Sequence, residues 1–129
     1  MLVAGVARGQ LIAESLKIGE RFHVRGVRLL GATRVQPPEE RLRPDQPRQW
    51  TFIGFEMDDK LAPAVADALA AALDGERGWY CNFSTTTEAW VIYRGRVFHY
   101  PIGDPAGRTE AQAYGRSLGV PEPQLDWGE

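Results

Sequence analysis

From Gly78 to Tyr100 the chain reads as three short strands in succession, GWYCNF, EAWVIY and RVFHY, with apolar residues in both alternating sets of positions. An antiparallel sheet that buries one face and wets the other shows a clean apolar–polar alternation. This meander does not, so a helix, another protomer or a ligand must cover its second face. Arg94-Gly95 supplies a two-residue turn, with Gly95 at a position of positive φ. Pairing through it sets Tyr93 opposite Arg96, Val91 opposite Phe98 and Ala89 opposite Tyr100. A three-residue Thr85–Thr87 loop then places Phe83 against Ala89 and Cys81 against Val91. One face carries Trp79, Cys81, Phe83, Ala89, Val91, Tyr93, Phe98 and Tyr100 as core. The other carries Tyr80, Asn82, Trp90, Ile92, Val97 and His99.

The rest of the chain supplies layers for such a sheet. Thr51–Met57 (TFIGFEM) predicts a strand, and Arg21–Val35 a second one, with a bulge at Gly26 that lets Val24 and Val27 share a face. Gln10–Leu16 predicts a short helix or a strand. In Lys60–Asp74 the residues Leu61, Val65, Leu69 and Ala72 recur at three- and four-residue spacings, which predicts the main helix, with Asp58 and Asp59 as capping candidates. A shorter helix, Glu110–Leu118, is expected after Thr109 as cap and before Gly119 and Pro121. Leu125 and Trp127 imply a tail that packs back on the body. Residues 36–48 hold four of the nine prolines with a dense mix of charges, and read as an exposed Pro/Arg-rich loop. The expectation for 1–129 is one α+β domain: an antiparallel sheet of about five strands against one main helix and a shorter C-terminal helix.

Composition narrows the setting. At 43% hydrophobic and 25% charged residues, a chain of this length buries roughly two-thirds of its unfolded surface, against wholesale disorder. The opening MLVAGVARGQLIAESL lacks a basic region ahead of its apolar run and is broken by Arg8 and Glu14, so neither a signal peptide nor a membrane span is expected. The lone Cys81 excludes an internal disulfide and a cysteine-based zinc site, and a cytoplasmic, reducing location follows as the expectation. Net charge is −2, with no global basic footprint for nucleic acid. Between Arg21 and Trp50, however, seven arginines face three acidic residues, whereas from Thr51 onward six basic residues face twelve acidic ones. Such halves steer a partner, pair protomers head to tail, or neutralise each other across one surface.

Candidate chemistry is sparse. Cys81 as nucleophile would need a base within reach, and the register above puts His99 on the opposite face. His23 and His99 lack metal-ligand spacing, so no metal site or cofactor is expected. Glu56, Asp58 and Asp59 cluster at a strand-to-helix junction, where capping accounts for two of them. Gly103–Arg108 lacks the Lys-Ser/Thr of a phosphate loop. Tyr80, Trp90, Arg25 and Arg28 suggest a stacking platform for RNA, but the meander lies in the acidic part of the chain, which opposes phosphate.

The run GWYCNF, VIYRGRVFHYP, AQAYGRSLGVPEPQLDW resembles a pattern in small uncharacterised bacterial proteins, over about 50 residues from Gly78. The resemblance implies a bacterial, cytoplasmic setting and brings no activity with it. The functional expectation is therefore a non-enzymatic interaction module. It binds a protein partner or itself, as a homodimer, through the face of Tyr80, Trp90, Ile92, Val97 and His99, and an inhibitor or immunity-type protein is one concrete form. The alternative is a small-ligand binder or small enzyme with a cleft between the sheet and the Arg-rich loop, where Arg25, Arg28, Asn82 and His99 converge.

Overall fold

The computed structural model describes residues 5–129. Six strands, β1 (Val6–Ile12), β2 (Arg28–Val35), β3 (Trp50–Asp58), β4 (Cys81–Ser84), β5 (Glu88–Tyr93) and β6 (Arg96–Pro101), form one antiparallel sheet in the order β2-β3-β1-β4-β5-β6. Two helices accompany it, α1 (Ala62–Ala72) and α2 (Pro105–Ser117). The fold is α+β, as expected.

The additional strand is β1, which lies near the middle of the sheet and pairs with both β3 and β4. Its sequence, VARGQLI, hides this role because Arg8 and Gly9 interrupt the apolar pattern. Arg8 points to an open part of the sheet, and Gly9 is there for want of space. A Cβ on Gly9 would lie 2.6 Å from Phe83 Cβ and 2.7 Å from Phe55 Cζ.

Helix α1 lies on one face of the sheet. Phe55, Met57, Cys81, Phe83, Trp90 and Ile92 pack there with Val65, Leu69 and Leu73, joined by Phe22, Val24 and Val27 from the segment before β2. The opposite face of β5 and β6 receives α2 and the C-terminal segment, with Val91, Tyr93, Phe98 and Tyr100 against Ala111, Val120, Leu125 and Trp127. Tyr93 is fully buried and its hydroxyl donates to the Ala111 carbonyl at 2.9 Å, anchoring α2. Both apolar faces of the meander are thus covered within the chain.

The Arg94-Gly95 turn pairs β5 and β6 as the sequence predicts, with Gly95 at φ 70°. The β4–β5 pairing differs by one residue: Cys81 lies opposite Ile92 and Phe83 opposite Trp90. Thr85–Thr87 lie between the two strands as expected, but Thr85 is bonded across to Glu88. Thr85 N donates to the Glu88 carbonyl at 2.9 Å, while Thr85 Oγ1 accepts from Glu88 N at 3.0 Å, so Thr85 and Glu88 close a turn whose tip is Thr86-Thr87. That slip moves Cys81 and Phe83 onto the face of Trp90 and Ile92, and Tyr80 and Asn82 onto the other.

Other expectations shift for local reasons. The bulge in β2 lies at Leu30, between Leu29 and Gly31, and residues 21–27 are irregular rather than strand. Neither Asp58 nor Asp59 caps α1; the Asp59 carboxylate instead accepts from Thr86 N at 3.1 Å and from its hydroxyl. Helix α2 starts earlier than Thr109 because Asp104 caps it, accepting from Ala106 N at 3.1 Å, with Pro105 in the first position. At 13 residues it is longer than α1, which has 11.

Candidate functional site

The slip divides the predicted interaction face. Trp90, Ile92, Val97 and His99 stay together under α1, whereas Tyr80 belongs to the opposite side. Ile92 is fully buried and Trp90 is 7% exposed, so the pair forms core rather than contact surface. His99 is exposed at the rim: its ring stacks on Trp90 at 4.4 Å, and Nδ1 lies 2.9 Å from Glu88 Oε2. Cys81 now shares a face with His99, yet the two still form no dyad. The row of Cys81 continues to Ile92 and Val97, while that of His99 continues to Trp90 and Phe83. Burial pushes the Cys81 thiol up to about 12, and its Sγ donates to the Gln10 carbonyl at 3.4 Å. His23 and Arg25 are exposed on the segment before β2.

An open region remains where α2 does not reach. It is the face of β3, β1 and β4 opposite α1, and cross-strand pairing orders it in rows. Arg28, Glu56, Arg8 and Ser84 form the first row; Gly54, Gln10 and Asn82 the second; Phe52 and Ile12 the third. Gly54 leaves the second row without a side chain at β3, which deepens the surface into a cleft. The C-terminal segment from Gln124 to Gly128 forms one wall, and Leu30 stands on the other side.

Two hollows occupy this cleft. One, of about 480 Å³, is lined by Arg8, Leu30, Gly54, Ser84 and Gly128 among others. The second, of about 310 Å³, is walled by Ile12, Trp50, Phe52, Trp79, Tyr80 and Trp127, with Arg41 and Asp126. Gln10 and Asn82 line both, so the hollows meet at that pair. Among the described residues neither of these two side-chain amides has a hydrogen-bond partner. Trp79 Nε1 is buried and unpartnered as well.

The walls are fixed by bonds between the Pro/Arg-rich loop and the C-terminal segment. Arg41 donates to both Asp126 oxygens, at 2.8 and 3.1 Å, and this bond holds the Asp126 carboxyl below its ordinary value. Gln124 is 5% exposed and donates to the Arg41 carbonyl at 2.6 Å and to Gln46 Oε1 at 2.8 Å. Gln46, 3% exposed, donates in turn to the Arg77 carbonyl at 3.0 Å. The Tyr80 hydroxyl donates to the Gln124 carbonyl, and burial raises the Tyr80 pKa. The loop is therefore a bonded wall, not a free excursion.

Of the ligand-contacting groups expected from the sequence, Asn82 lies in this cleft. Arg28 stands beside it, where its Nε donates to Glu56 Oε1 at 3.1 Å, and Arg8 Nε donates to Glu56 Oε2 at 3.3 Å. Arg28, first, and then Arg8 hold the Glu56 carboxyl below its ordinary value. Arg25 and His99 do not converge on it. Gln10, Arg41, Phe52 and Asp126 went unseen in the sequence, because the place of β1 and the docking of the C-terminal segment set them together. No protein-family model, curated protein or solved structure matches the chain.

Proposed function

We propose that the chain is a non-enzymatic interaction module that takes a protein strand, from a partner or from a second copy, along the free edge of β2. One observation carries this reading. Among the described residues β2 is an eight-residue strand paired on one side only, and seven of its residues are exposed. Leu29 and Leu30 are 68% and 56% exposed, a poor use of leucine on a surface with no other task. An unpaired edge presents a row of free peptide groups to which an extended segment adds as a further strand. Arg28 and Arg34 near the ends of β2 favour an acidic partner strand. An inhibitor or immunity-type protein fits this mode. Hydrogen exchange provides the test: association protects the amides of residues 28–35, and a Leu29→Lys, Leu30→Lys variant loses both association and protection. Unchanged exchange across β2 in a captured complex or in a concentrated sample would sink the idea.

A second reading is favoured by the two hollows that meet at the unpartnered amides of Gln10 and Asn82. There the chain binds a small ligand between the sheet and the Arg-rich loop. Pockets of this size, with apolar walls and a few convergent polar groups, are where small ligands bind.

A further inference from the structure

Resting on the second reading, we infer that the cleft takes a small amphipathic monocarboxylate, with its carboxylate at Arg8 and Arg28 and its apolar body directed toward Ile12, Phe52 and Tyr80. The two ends of the cleft differ in chemistry. At one end, Arg8 and Arg28 flank a single carboxylate, Glu56, and each engages it through Nε alone. The terminal nitrogens of both guanidiniums have no partner among the described residues, and the arginine side chains are 68% and 55% exposed. Two guanidiniums against one carboxylate leave one positive charge, and forked donors of this kind suit a carboxylate.

The other end holds rings and an aliphatic side chain, with no net charge. Its two ionised groups, Arg41 and Asp126, neutralise each other through two bonds at 2.8 and 3.1 Å. Gln10 and Asn82 lie between the ends and offer amide donors and acceptors to a linker or a second polar group. Arg8 and Ile12 are four residues apart on β1, about 13 Å along a strand. That is the span of a medium-chain fatty acid or an arylalkanoate. A polyphosphate would meet Glu56 and Asp126 with a single surplus positive charge against it. A cation would meet the arginines first.

Decanoate, decan-1-ol and decylamine form a matched probe set, read by titration calorimetry and by the indole N–H resonances of the tryptophans. The expected result is that decanoate binds at least tenfold more tightly than decanol, that decylamine is weakest, and that the resonances of Trp79 and Trp127 shift. Arg8→Gln with Arg28→Gln, two surface changes, brings decanoate down to the affinity of decanol, while Glu56→Gln tightens decanoate alone. Equal binding of decanoate and decanol by the natural sequence, abolished by Phe52→Asp, overturns the carboxylate assignment and leaves the cleft standing. Absence of binding by all three overturns the cleft as well. Circular dichroism on each variant separates loss of binding from loss of fold.

Discussion

Arg41 and Asp126, 85 positions apart, close on each other through two hydrogen bonds at 2.8 and 3.1 Å. The pair joins the Pro/Arg-rich loop to the C-terminal segment, and so joins the arginine-rich and acid-rich parts of the chain. With the Arg41 and Asp126 side chains 35% and 58% exposed, solvent screens the pair. Asp126→Asn is expected to cost about 0.5–1 kcal/mol, at the upper end for surface ion pairs, in urea unfolding at neutral pH.

The pH dependence has a definite sign. Because Asp126 is held below its ordinary value of 3.8, its ionised form favours the folded chain above that pH. The contribution disappears as pH falls through the folded pKa. Natural-sequence protein should therefore lose stability more steeply on acidification than Asp126→Asn, in which Glu14, Glu56 and Glu129, also held below their ordinary values, keep a shallower acid limb. Parallel acid limbs in the two proteins would contradict this.

Gly9→Ala tests the crowded centre of the sheet. The added methyl meets Phe83 Cβ at 2.6 Å, Phe55 Cζ at 2.7 Å and the Asn82 carbonyl oxygen at 2.8 Å, with side chains and backbone both in the way. A loss of about 2–3 kcal/mol is expected from overpacking, measured as a shift in denaturation midpoint. A neutral result would mean that β1 does not lie between β3 and β4.

Tyr93→Phe removes one buried hydroxyl that holds α2 through the Ala111 carbonyl. A cost of about 1 kcal/mol is expected. Faster exchange should appear first in α2, with β1–β3 unaffected.

Cys81 should be inert toward a disulfide reagent in the folded protein at mildly alkaline pH and react on unfolding. The thiol is 2% exposed, and burial raises its pKa to about 12. Rapid labelling of folded protein would contradict the packing of β4 under α1.

The main features of this fold are readable in residue pattern: the strand TFIGFEM, the stripe of Val65, Leu69 and Ala72, the Arg94-Gly95 turn and the returning Trp127. The register of β4 was not, and the reason is physical. Alternation reports register only when one face is wet, and here α1 covers one face of the meander while α2 and Trp127 cover the other. With apolar residues on both sides, the hydroxyl of Thr85 decides the matter, by accepting from Glu88 N. The cleft was harder still. Its floor comes from β1, which Arg8 and Gly9 disguise, and its wall from Gln46 and Gln124, two glutamines whose burial follows from their bond to each other. Asn82 was singled out among the sequence candidates, but for the wrong face of the sheet.

The position of β1 has a consequence for how the chain acquires its shape. Its partners are β3, 40 to 52 positions downstream, and β4, beyond that at residues 81–84. During synthesis β1 must wait unpaired until β3 has followed it, and its second edge stays open until β4 is made. Closing such long loops before any contact rewards them makes for slow folding, on the millisecond-to-second scale of sheet proteins rich in distant pairings. Chains arrested before Ser84 lack Phe83, Trp90 and Ile92 in place against α1, and should be protease-sensitive in the α1 segment already made.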